Sequence, residues 1–398
     1  MRSFQIVFIL IFLLVFALLA WLSYKNISTI INMQSRKHAK WIFLLFNGLA
    51  FLGFIFLYIY PLQPSHATNY PTYFYFNALL ITLFISNVPN SLSYVLHKLI
   101  ERKRKIVPFT GLIISIGLSG GMIYGVLWGS QKIQINQIEL KYDNLPVSFH
   151  HYKILQFSDI HIGAILESSK LLDKTYKIIE TQNPDLLLFT GDLVNNFADE
   201  AKGFKPILKQ MTLNRQAFSV LGNHDYGDYT TWENSEEKQE NLEGIIATLN
   251  ETGFLLLDNE NKIIKKNNDS IFLAGVENWG HPPFPQYADL KKALNRIPSE
   301  AFTILMTHDP AHWDSKVKNR GDVELSLSGH THGMQWGVKL AGIKFSIARL
   351  PGKYWGGLYR HNNSVLYVNT GLGNVGIPWR MDMAPEITVF TLKRSKVD

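Results

Sequence analysis

The chain has 398 residues, of which 46% are hydrophobic, 18% charged and 13% aromatic. This length exceeds that of one ordinary domain, and the apolar content excludes a disordered chain. Residues 1–130 carry ten basic residues and one acidic residue, whereas the other 268 carry 29 basic and 31 acidic residues. The second part is thus slightly acidic and has no basic tract, which argues against a nucleic-acid partner. The chain has no cysteine, which excludes disulfides and thiolate metal ligands.

Four apolar stretches fill the first part of the chain and are almost free of charge. Each is about 20 residues or longer, the length of a helix that crosses a bilayer. We therefore predict a membrane domain over residues 1–130, an all-α bundle of four transmembrane helices with the lipid bilayer as its partner. The predicted spans are residues 4–23, 41–61, 73–97 and 106–129.

The connections between these spans differ in charge. Basic residues lie in the connections 24–40 and 98–105, whereas the connection 62–72 has none. By the positive-inside rule, the two basic connections face the cytoplasm. We expect a multi-pass protein of the cytoplasmic membrane whose second domain is extracytoplasmic. The alternative, a first stretch cleaved as a signal peptide, would reverse this orientation, but its apolar run is longer than the roughly 7 to 15 residues typical of such peptides.

Small and polar residues interrupt two of the spans. Asn87, Pro89 and Asn90 lie in the third span, and we interpret them as a helix kink. Glycines spaced four apart line one face of the fourth span and allow another helix to approach closely, within the bundle or between copies in a homo-oligomer. These glycines are Gly117, Gly121, Gly125 and Gly129.

Residues 131–398 alternate short β-like runs with amphipathic helices, which predicts an α/β domain with helices packed on a sheet. The clearest helix is predicted over 236–250, where apolar residues recur at helical spacing. We interpret 259–269 as a polar turn between two strands. Strands are predicted over 132–140, 153–157, 185–189, 217–221, 270–275, 302–306, 323–327, 364–368 and 386–392.

Five polar clusters directly follow predicted strands, where open α/β sheets bind their ligands. Each cluster alone is typical of a turn. Together they offer carboxylate, imidazole and amide donors, which suit Mn, Fe or Zn and exceed the needs of one ion. Two adjacent divalent metal ions are therefore the leading hypothesis. The clusters are Asp159-Ile160-His161, Gly191-Asp192, Gly222-Asn223-His224-Asp225, His308 and Gly329-His330-Thr331-His332.

In this order the clusters match the pattern D-x-H, G-D, G-N-H-[ED], H and G-H-x-H. Over roughly residues 150–395 the chain thereby resembles the calcineurin-like metallophosphoesterases. The resemblance implies a four-layer α-β-β-α sandwich over residues 131–398 and hydrolysis of a phosphoester by metal-activated hydroxide. It also implies the metal ligands: Asp159, His161 and His332 for one ion, Asn223, His308 and His330 for the other, with Asp192 bridging them.

The resemblance further assigns two catalytic residues. His224 would donate a proton or stabilise charge beside the scissile phosphate, and Asp225 would orient it. Many members carry a second Asp where this chain has Asn195, a departure that concerns the surroundings of the metal site and leaves the ligands intact.

The carboxyl-terminal tail is similar to that of the bacterial membrane-associated YkuE- and YaeI-like branch of the family. This tail contains Gly371-Leu372-Gly373, Pro378-Trp379-Arg380 and Pro385-Glu386-Ile387. Arg380 is a candidate substrate-binding residue, because guanidinium pairs with phosphate oxygens. The alternative is a structural arginine between two strands. Apolar and basic residues between Gly337 and Arg360 suit either a surface on anionic lipid headgroups or a β-hairpin packed on the core.

These features predict a membrane-bound phosphodiesterase or pyrophosphatase that acts on a phospholipid or lipid-linked phosphate. If the second domain is instead cytoplasmic, a UDP-2,3-diacylglucosamine pyrophosphatase of lipid A synthesis is the alternative. Two further readings are a phosphatase or nucleotide phosphodiesterase with a soluble substrate, and a non-catalytic membrane sensor.

Overall fold

The computed structural model describes residues 2–59, 70–100, 105–166, 169–282, 284–340, 343–346 and 352–395. Its first part consists of four long helices, each long and apolar enough to cross a membrane. This confirms the predicted set of four spans. The helices are α1 (Arg2–Ile30), α2 (Met33–Ile59), α3 (Tyr70–Leu99) and α4 (Ile106–Leu127).

The chain divides into two compact units. The membrane unit comprises Met1–Ser65 and Thr72–Leu127, and the α/β unit comprises His66–Pro71 and Trp128–Asp398. The change from one to the other after Leu127 lies within a few residues of the predicted domain boundary.

Buried asparagines join the helices of the membrane unit. The Asn26 side-chain amide donates to Oδ1 of Asn90 at 3.0 Å, and the Asn90 amide donates to Oγ of Ser115 at 2.8 Å. The Asn87 amide donates to Oδ1 of Asn47 at 3.0 Å. Because lipid offers no alternative partners, buried polar groups in a bilayer pair with each other and hold helices together. The asparagines of the third span are therefore interhelical contacts.

Helix α3 is continuous through Pro89, and the kink predicted there stays a prediction. A close approach of α4 to α3 occurs at Gly111, where an added Cβ would lie 2.2 Å from Oγ of Ser93. A Cβ added at Gly117 would lie in open space, with no atom within 4 Å in the described part of the chain. A contact between copies through the face that starts at Gly117 stays a prediction.

The α/β unit contains two six-stranded sheets and a separate hairpin. The strands are β1 (Gln134–Tyr142), β2 (Lys153–Phe157), β3 (Leu186–Phe189), β4 (Gln216–Ser219), β5 (Leu255–Leu256), β6 (Glu260–Lys266), β7 (Asp269–Gly275), β8 (Thr303–Met306), β9 (Leu325–Ser328), β10 (Val338–Leu340), β11 (Ile343–Phe345), β12 (Gly357–His361), β13 (Ser364–Val368) and β14 (Glu386–Arg394). The first sheet has the strand order β1-β14-β2-β3-β4-β5, the second has β12-β13-β9-β8-β7-β6, and β10 pairs with β11. The helices are α5 (Leu171–Gln182), α6 (Lys205–Thr212), α7 (Ser235–Glu251), α8 (Leu290–Ala293) and α9 (Pro310–His312).

Neighbouring residues of one strand belong to different cores, because successive side chains point to opposite faces of a sheet. Ile154 of β2 lies in the core between the two sheets, together with Ile304 of β8. Leu155 lies in a second core with Ile179 of α5, and Leu305 lies in a third. Helices thus cover the outer faces of two packed sheets, which confirms the four-layer α-β-β-α sandwich.

The interpretation of residues 259–269 as a turn is wrong. Residues Glu260–Lys266 form β6, an edge strand that pairs antiparallel with β7. Its sequence is mostly polar because an edge strand faces solvent, and charged residues there prevent pairing with other chains. Strand β12 was not predicted for a related reason, since most of its residues are at least partly exposed.

Only part of the segment 337–360 belongs to the described residues, and residues 341–342 and 347–351 lie outside them. The described part forms a β-hairpin of β10 and β11 and the short strand β12. The lipid-facing interpretation of this segment stays a prediction.

Candidate metal centre

The five polar clusters all lie at the carboxyl ends of central strands. Three follow the parallel strands β2, β3 and β4 of the first sheet, and two follow the parallel strands β8 and β9 of the second. Because the two sheets pack face to face, these loops meet at one end of the sandwich. The nine cluster residues predicted as ligands or catalytic groups are thereby brought together.

The backbone of these loops adopts an uncommon conformation. Five predicted ligands have a positive φ between 45° and 74°. Non-glycine residues seldom adopt this left-handed region, and such strain concentrates at functional sites. The loops therefore turn sharply and direct their side chains inward. The five residues are Asp159, His161, Asp192, His330 and His332.

Two motif glycines leave space for the carboxylates. A Cβ at Gly222 would lie 2.1 Å from Oδ1 of Asp192, and a Cβ at Gly329 would lie 2.3 Å from Oδ2 of Asp159. Any side chain at these positions would displace a predicted ligand. The glycines are thus part of the site, although they supply no donor atom.

A first ligand group consists of Asp159, His161 and His332, all buried. The Nε2 atoms of the two histidines lie 3.0 Å apart, and Nε2 of His332 lies 3.4 Å from Oδ1 of Asp159. Burial lowers the pKa of His161 to about 3, so its ring is neutral at pH 7, as metal binding requires. Burial also raises the pKa of Asp159 to about 7.

A second ligand group consists of Asp192, His308 and His330, with Asn223 beside them. Oδ1 of Asn223 lies 3.0 Å from Nε2 of His308 and 2.7 Å from Nδ1 of His330. Nε2 of His308 lies 3.2 Å from Oδ2 of Asp192. Burial alone would lower the pKa of His308, but the Asp192 carboxylate raises it to about 10. The amide oxygen, the carboxylate and two imidazole nitrogens thus converge.

Asp192 lies between the two groups. Its Oδ2 atom is 3.5 Å from Nε2 of His161 in addition to its contact with His308. Burial alone would raise the pKa of Asp192, but the neighbouring His308 and His224 hold it well below its usual value. A carboxylate that stays ionised between two ligand groups has the position of a bridging ligand.

The donor set fits divalent metal ions. In each group the ligand atoms lie within 4.8 Å of one another, and separations near 3 Å are expected between adjacent ligands with metal bonds of about 2.1 Å. Nδ1 of His308 donates to the Thr190 carbonyl at 2.7 Å, which leaves Nε2 to face the site. Such an outer contact is typical of metal-binding histidines.

His224 lies at the cavity and is held by Asn195. Nδ1 of His224 donates to the Asn195 carbonyl at 2.8 Å, and the His224 backbone N–H donates to Oδ1 of Asp192 at 2.9 Å. Since Nδ1 is engaged by that carbonyl, Nε2 is the ring nitrogen that faces the cavity. His224 also forms a third ligand group with His161 and Asp192, so its position suits either a metal or a substrate oxygen.

The contacts of Asp225 differ from the role expected for it. Its carboxylate accepts backbone N–H groups from Asp192, Leu193, Val194 and Gly222 at 2.8 to 3.2 Å. These contacts hold the loop of Asp192 against the turn of Asp225 itself. The group that orients the His224 ring is instead the backbone carbonyl of Asn195, which a side-chain motif does not reveal.

Arg380 is fully buried and does not line the cavity. Its guanidinium donates to the carbonyls of Thr370, Gly373 and Met383, and it lies 3.3 Å from Nδ1 of His332. These contacts correct the substrate-binding interpretation and match the structural alternative. Arg380 braces the tail loop behind a predicted metal ligand.

The cavity above the site has a volume of about 310 Å³. Predicted ligands form its floor, while Tyr229 and Met334, both nearly half exposed, line its side. Sequence reasoning missed Tyr229, because it belongs to no motif. Its proximity to the Gly222-Asn223-His224-Asp225 cluster was the only available signal. The lining residues are Asp192, Asn223, His224, Tyr229, His330, Thr331, His332, Met334, Gln335 and Val375.

These features define a candidate metal-binding site, and comparisons with known proteins show the class of enzyme to which it belongs. The model of the calcineurin-like phosphoesterase family matches residues 152–334. The metallophosphoesterase YkuE of Bacillus subtilis is 32% identical over 278 residues, which cover 69% of this chain and 90% of that protein. A transmembrane protein with a metallophosphoesterase domain from Danio rerio is 28% identical, and the matched region covers 80% of this chain and 71% of that protein. An uncharacterized metallophosphoesterase of Helicobacter pylori is 27% identical, and the matched region covers 96% of this chain and 97% of that protein.

The chain belongs to the calcineurin-like metallophosphoesterases. It is a phosphoester hydrolase with a candidate metal site, and its four apolar helices together with its transmembrane relatives make it a membrane protein.

Proposed function

We propose that this protein is a membrane-anchored phosphoesterase that uses two divalent metal ions to hydrolyse a phosphodiester or pyrophosphate bond in a phospholipid or lipid-linked phosphate. The observation that carries the proposal is the pair of ligand groups on either side of Asp192. Each group offers imidazole and carboxylate donors, and Asn223 adds an amide oxygen to the second. No thiolate or other soft donor is among them, so Mn, Fe and Zn are the ions expected.

Such a metal pair supplies a hydroxide nucleophile at neutral pH and neutralises charge on the phosphoryl oxygens. The protein side chains do the rest. The ionised Asp192 carboxylate stays between the two ligand groups, and His224 presents Nε2 at the cavity while its other nitrogen is held by Asn195. An imidazole in this place donates a proton to the leaving oxygen or stabilises its charge.

The cavity walls favour a substrate with an apolar part. Tyr229 is 46% exposed and Met334 49% exposed at the cavity, and Phe284, 36% exposed, packs against Tyr229. Exposed apolar groups beside a phosphate-binding floor suit an amphiphilic ester, with the phosphate on the metals and the hydrocarbon against the wall. Four candidate spans keep such a site at a bilayer.

The expected side of the membrane is extracytoplasmic, since the two connections rich in Lys and Arg are those expected in the cytoplasm. Reporter fusions after residue 130 and at the carboxyl terminus test this orientation. Activity of a reporter that works only outside the cytoplasm is the expected result. Activity of the cytoplasmic reporter would contradict it and would favour a UDP-2,3-diacylglucosamine pyrophosphatase.

The substrate class is tested with the purified full chain in detergent, supplied with Mn²⁺. Three substrates are compared: a long-chain phosphatidyl diester, its short-chain analogue and the aryl diester bis(p-nitrophenyl) phosphate. We expect hydrolysis of all three, with the highest kcat/KM for the long-chain lipid. Equal kcat/KM for the two acyl esters would reject the lipid preference, and hydrolysis of none would reject the phosphodiesterase activity.

A further inference from the structure

Tyr229 lies on the loop between the short helix His224–Tyr226 and α7, at the wall of the cavity. Two contacts anchor this loop. The indole N–H of Trp232 donates to the Gly227 carbonyl at 2.8 Å, and Lys238 forms an ion pair with Asp228. Tyr229 itself is nearly half exposed, so it is not a core residue. Its position is thus defined by the loop and by its contacts with the site.

The first of these contacts concerns Asn223. The Asn223 side-chain amide donates through Nδ2 to the hydroxyl of Tyr229 at 2.8 Å. The same amide directs Oδ1 at the nitrogens of His308 and His330, at 3.0 and 2.7 Å. An amide has one acceptor end and one donor end, and only the oxygen binds a hard metal ion. The Tyr229 hydroxyl, which holds Nδ2 from the opposite side, therefore keeps the amide in the place where its oxygen faces the ligand group.

The second contact concerns His224. The rings of Tyr229 and His224 are stacked, with centroids 4.3 Å apart and planes inclined by 16°. Phe284 packs on Tyr229, with centroids 5.1 Å apart. The Nδ1 contact with Asn195 holds one edge of the imidazole, and the stacked phenol restricts rotation of its plane. Tyr229 thus contacts a predicted metal ligand and the predicted catalytic histidine at once.

We propose that Tyr229 is a positioning residue of this site: its hydroxyl fixes the Asn223 amide with the oxygen toward the metal, and its ring fixes the plane of the His224 imidazole. The inference rests on the proposed phosphoesterase function. The two parts of the Tyr229 side chain have separate effects: the hydroxyl acts on metal affinity, and the ring acts on turnover.

Two variants separate these parts. Tyr229→Phe removes the hydroxyl and keeps the ring, whereas Tyr229→Leu removes both. Mn²⁺ alone is titrated into the metal-depleted full chain by calorimetry, without substrate. We expect Mn²⁺ affinity to fall by about tenfold or more in both variants, as is common when an outer partner of a metal ligand is lost. Tyr176→Phe, a hydroxyl deletion on α5 outside the site, is the matched control and keeps wild-type affinity.

Turnover is then measured at saturating Mn²⁺ with bis(p-nitrophenyl) phosphate. We expect Tyr229→Phe to recover wild-type kcat, because the added metal compensates for its weaker binding. We expect Tyr229→Leu to keep a kcat about tenfold below wild type, with KM changed less than twofold. Thermal unfolding of all variants in the metal-depleted state should agree within a few degrees, which excludes a general loss of structure.

Two results would overturn the inference: wild-type Mn²⁺ affinity in Tyr229→Phe, or full kcat in Tyr229→Leu at saturating metal. A failure of the proposed function is recognised separately. In that case the wild-type chain binds Mn²⁺ but hydrolyses no phosphoester, and the calorimetric comparison still decides the role of the hydroxyl.

Discussion

The two units of this protein differ in the polar residues that they bury. In the membrane unit the buried groups are neutral amides and hydroxyls, and each amide pairs with a side chain on another helix, as in the contact of Asn26 with Asn90. In the α/β unit the buried groups also include carboxylates and imidazoles, and several of these lie 3.0 to 3.5 Å from one another.

This difference shows which buried polar residues belong to a functional site. Neutral groups that pair with each other stabilise a packing arrangement and need nothing further. Carboxylates and imidazoles are costly to bury unless they are paired, hydrogen-bonded or bound to a metal ion. Burial alone therefore does not distinguish a structural group from a functional one, whereas the convergence of several carboxylate and imidazole donors on one point indicates a metal site.

Removal of the central carboxylate tests the α/β side of this comparison most severely. Asp192→Ala deletes the one group that lies beside both ligand groups. We expect hydrolysis to fall at least about 1,000-fold, or about 4 kcal/mol in activation free energy. The measurement is kcat/KM with Mn²⁺ present, and Asp199→Ala, in an exposed ion pair with Lys202, is the control. Unchanged turnover in Asp192→Ala would refute the site assignment.

Replacement of Arg380 tests whether a buried charge in the α/β unit also stabilises the fold. Arg380→Ala leaves the carbonyls of Thr370, Gly373 and Met383 without their buried donor. We expect the free energy of unfolding to fall by about 3 kcal/mol. Thermal unfolding in one detergent measures this, with the exposed Arg360→Ala as control. Equal unfolding temperatures for the two variants would contradict the bracing role.

The pH dependence of metal binding tests the buried carboxylate at Asp159. Burial raises its pKa to about 7, and a metal ligand must be deprotonated. Below pH 7 a proton on Asp159 therefore competes with the metal, and each pH unit costs up to about tenfold in affinity, or 1.4 kcal/mol. Above pH 7 that competition ends, while the proton on His308, whose pKa is about 10, still competes.

The slope of log affinity against pH should therefore become less steep near pH 7. Calorimetric Mn²⁺ titrations at pH 6, 7 and 8 measure it. The variant Asp159→Asn, which has no proton to release there, should bind weakly and lack the change in slope. Equal wild-type affinity at pH 6 and 8 would be inconsistent with the burial of this carboxylate.

The smallest effect is expected in the membrane unit. Asn90→Ala removes hydrogen bonds to Asn26 and Ser115, and such a bond between membrane helices contributes about 0.6 kcal/mol on average. Thermal unfolding in detergent should shift slightly, and kcat/KM should stay at the wild-type value. The control is Thr110→Ala, an exposed hydroxyl bonded only within its own helix. Loss of hydrolysis in Asn90→Ala would contradict this difference between the two units, because the buried neutral groups of the membrane unit would then take part in function.

Much of this protein follows from the sequence because the signals are local. A run of about 20 apolar residues determines a membrane helix, and a strand followed by Asp159 or Asp192 determines where a donor lies along the chain. The alternation of strands and helices predicts an α/β domain, whereas the four layers were predicted from the resemblance to the family. The edge strand β6 was not predicted, because solvent exposure removes the apolar pattern on which strand prediction depends.

Only the tertiary structure decided which partner each group meets. The carbonyl of Asn195 beside His224 and the burial of Arg380 depend on residues distant in sequence or on backbone atoms. The hydroxyl of Tyr229 meets Asn223 because of the course of the loop between them. A backbone carbonyl is present at every position, so no residue type marks the one that is used. The sequence by itself thus determined the donors of the site, and the packing of the loops determined their orientation.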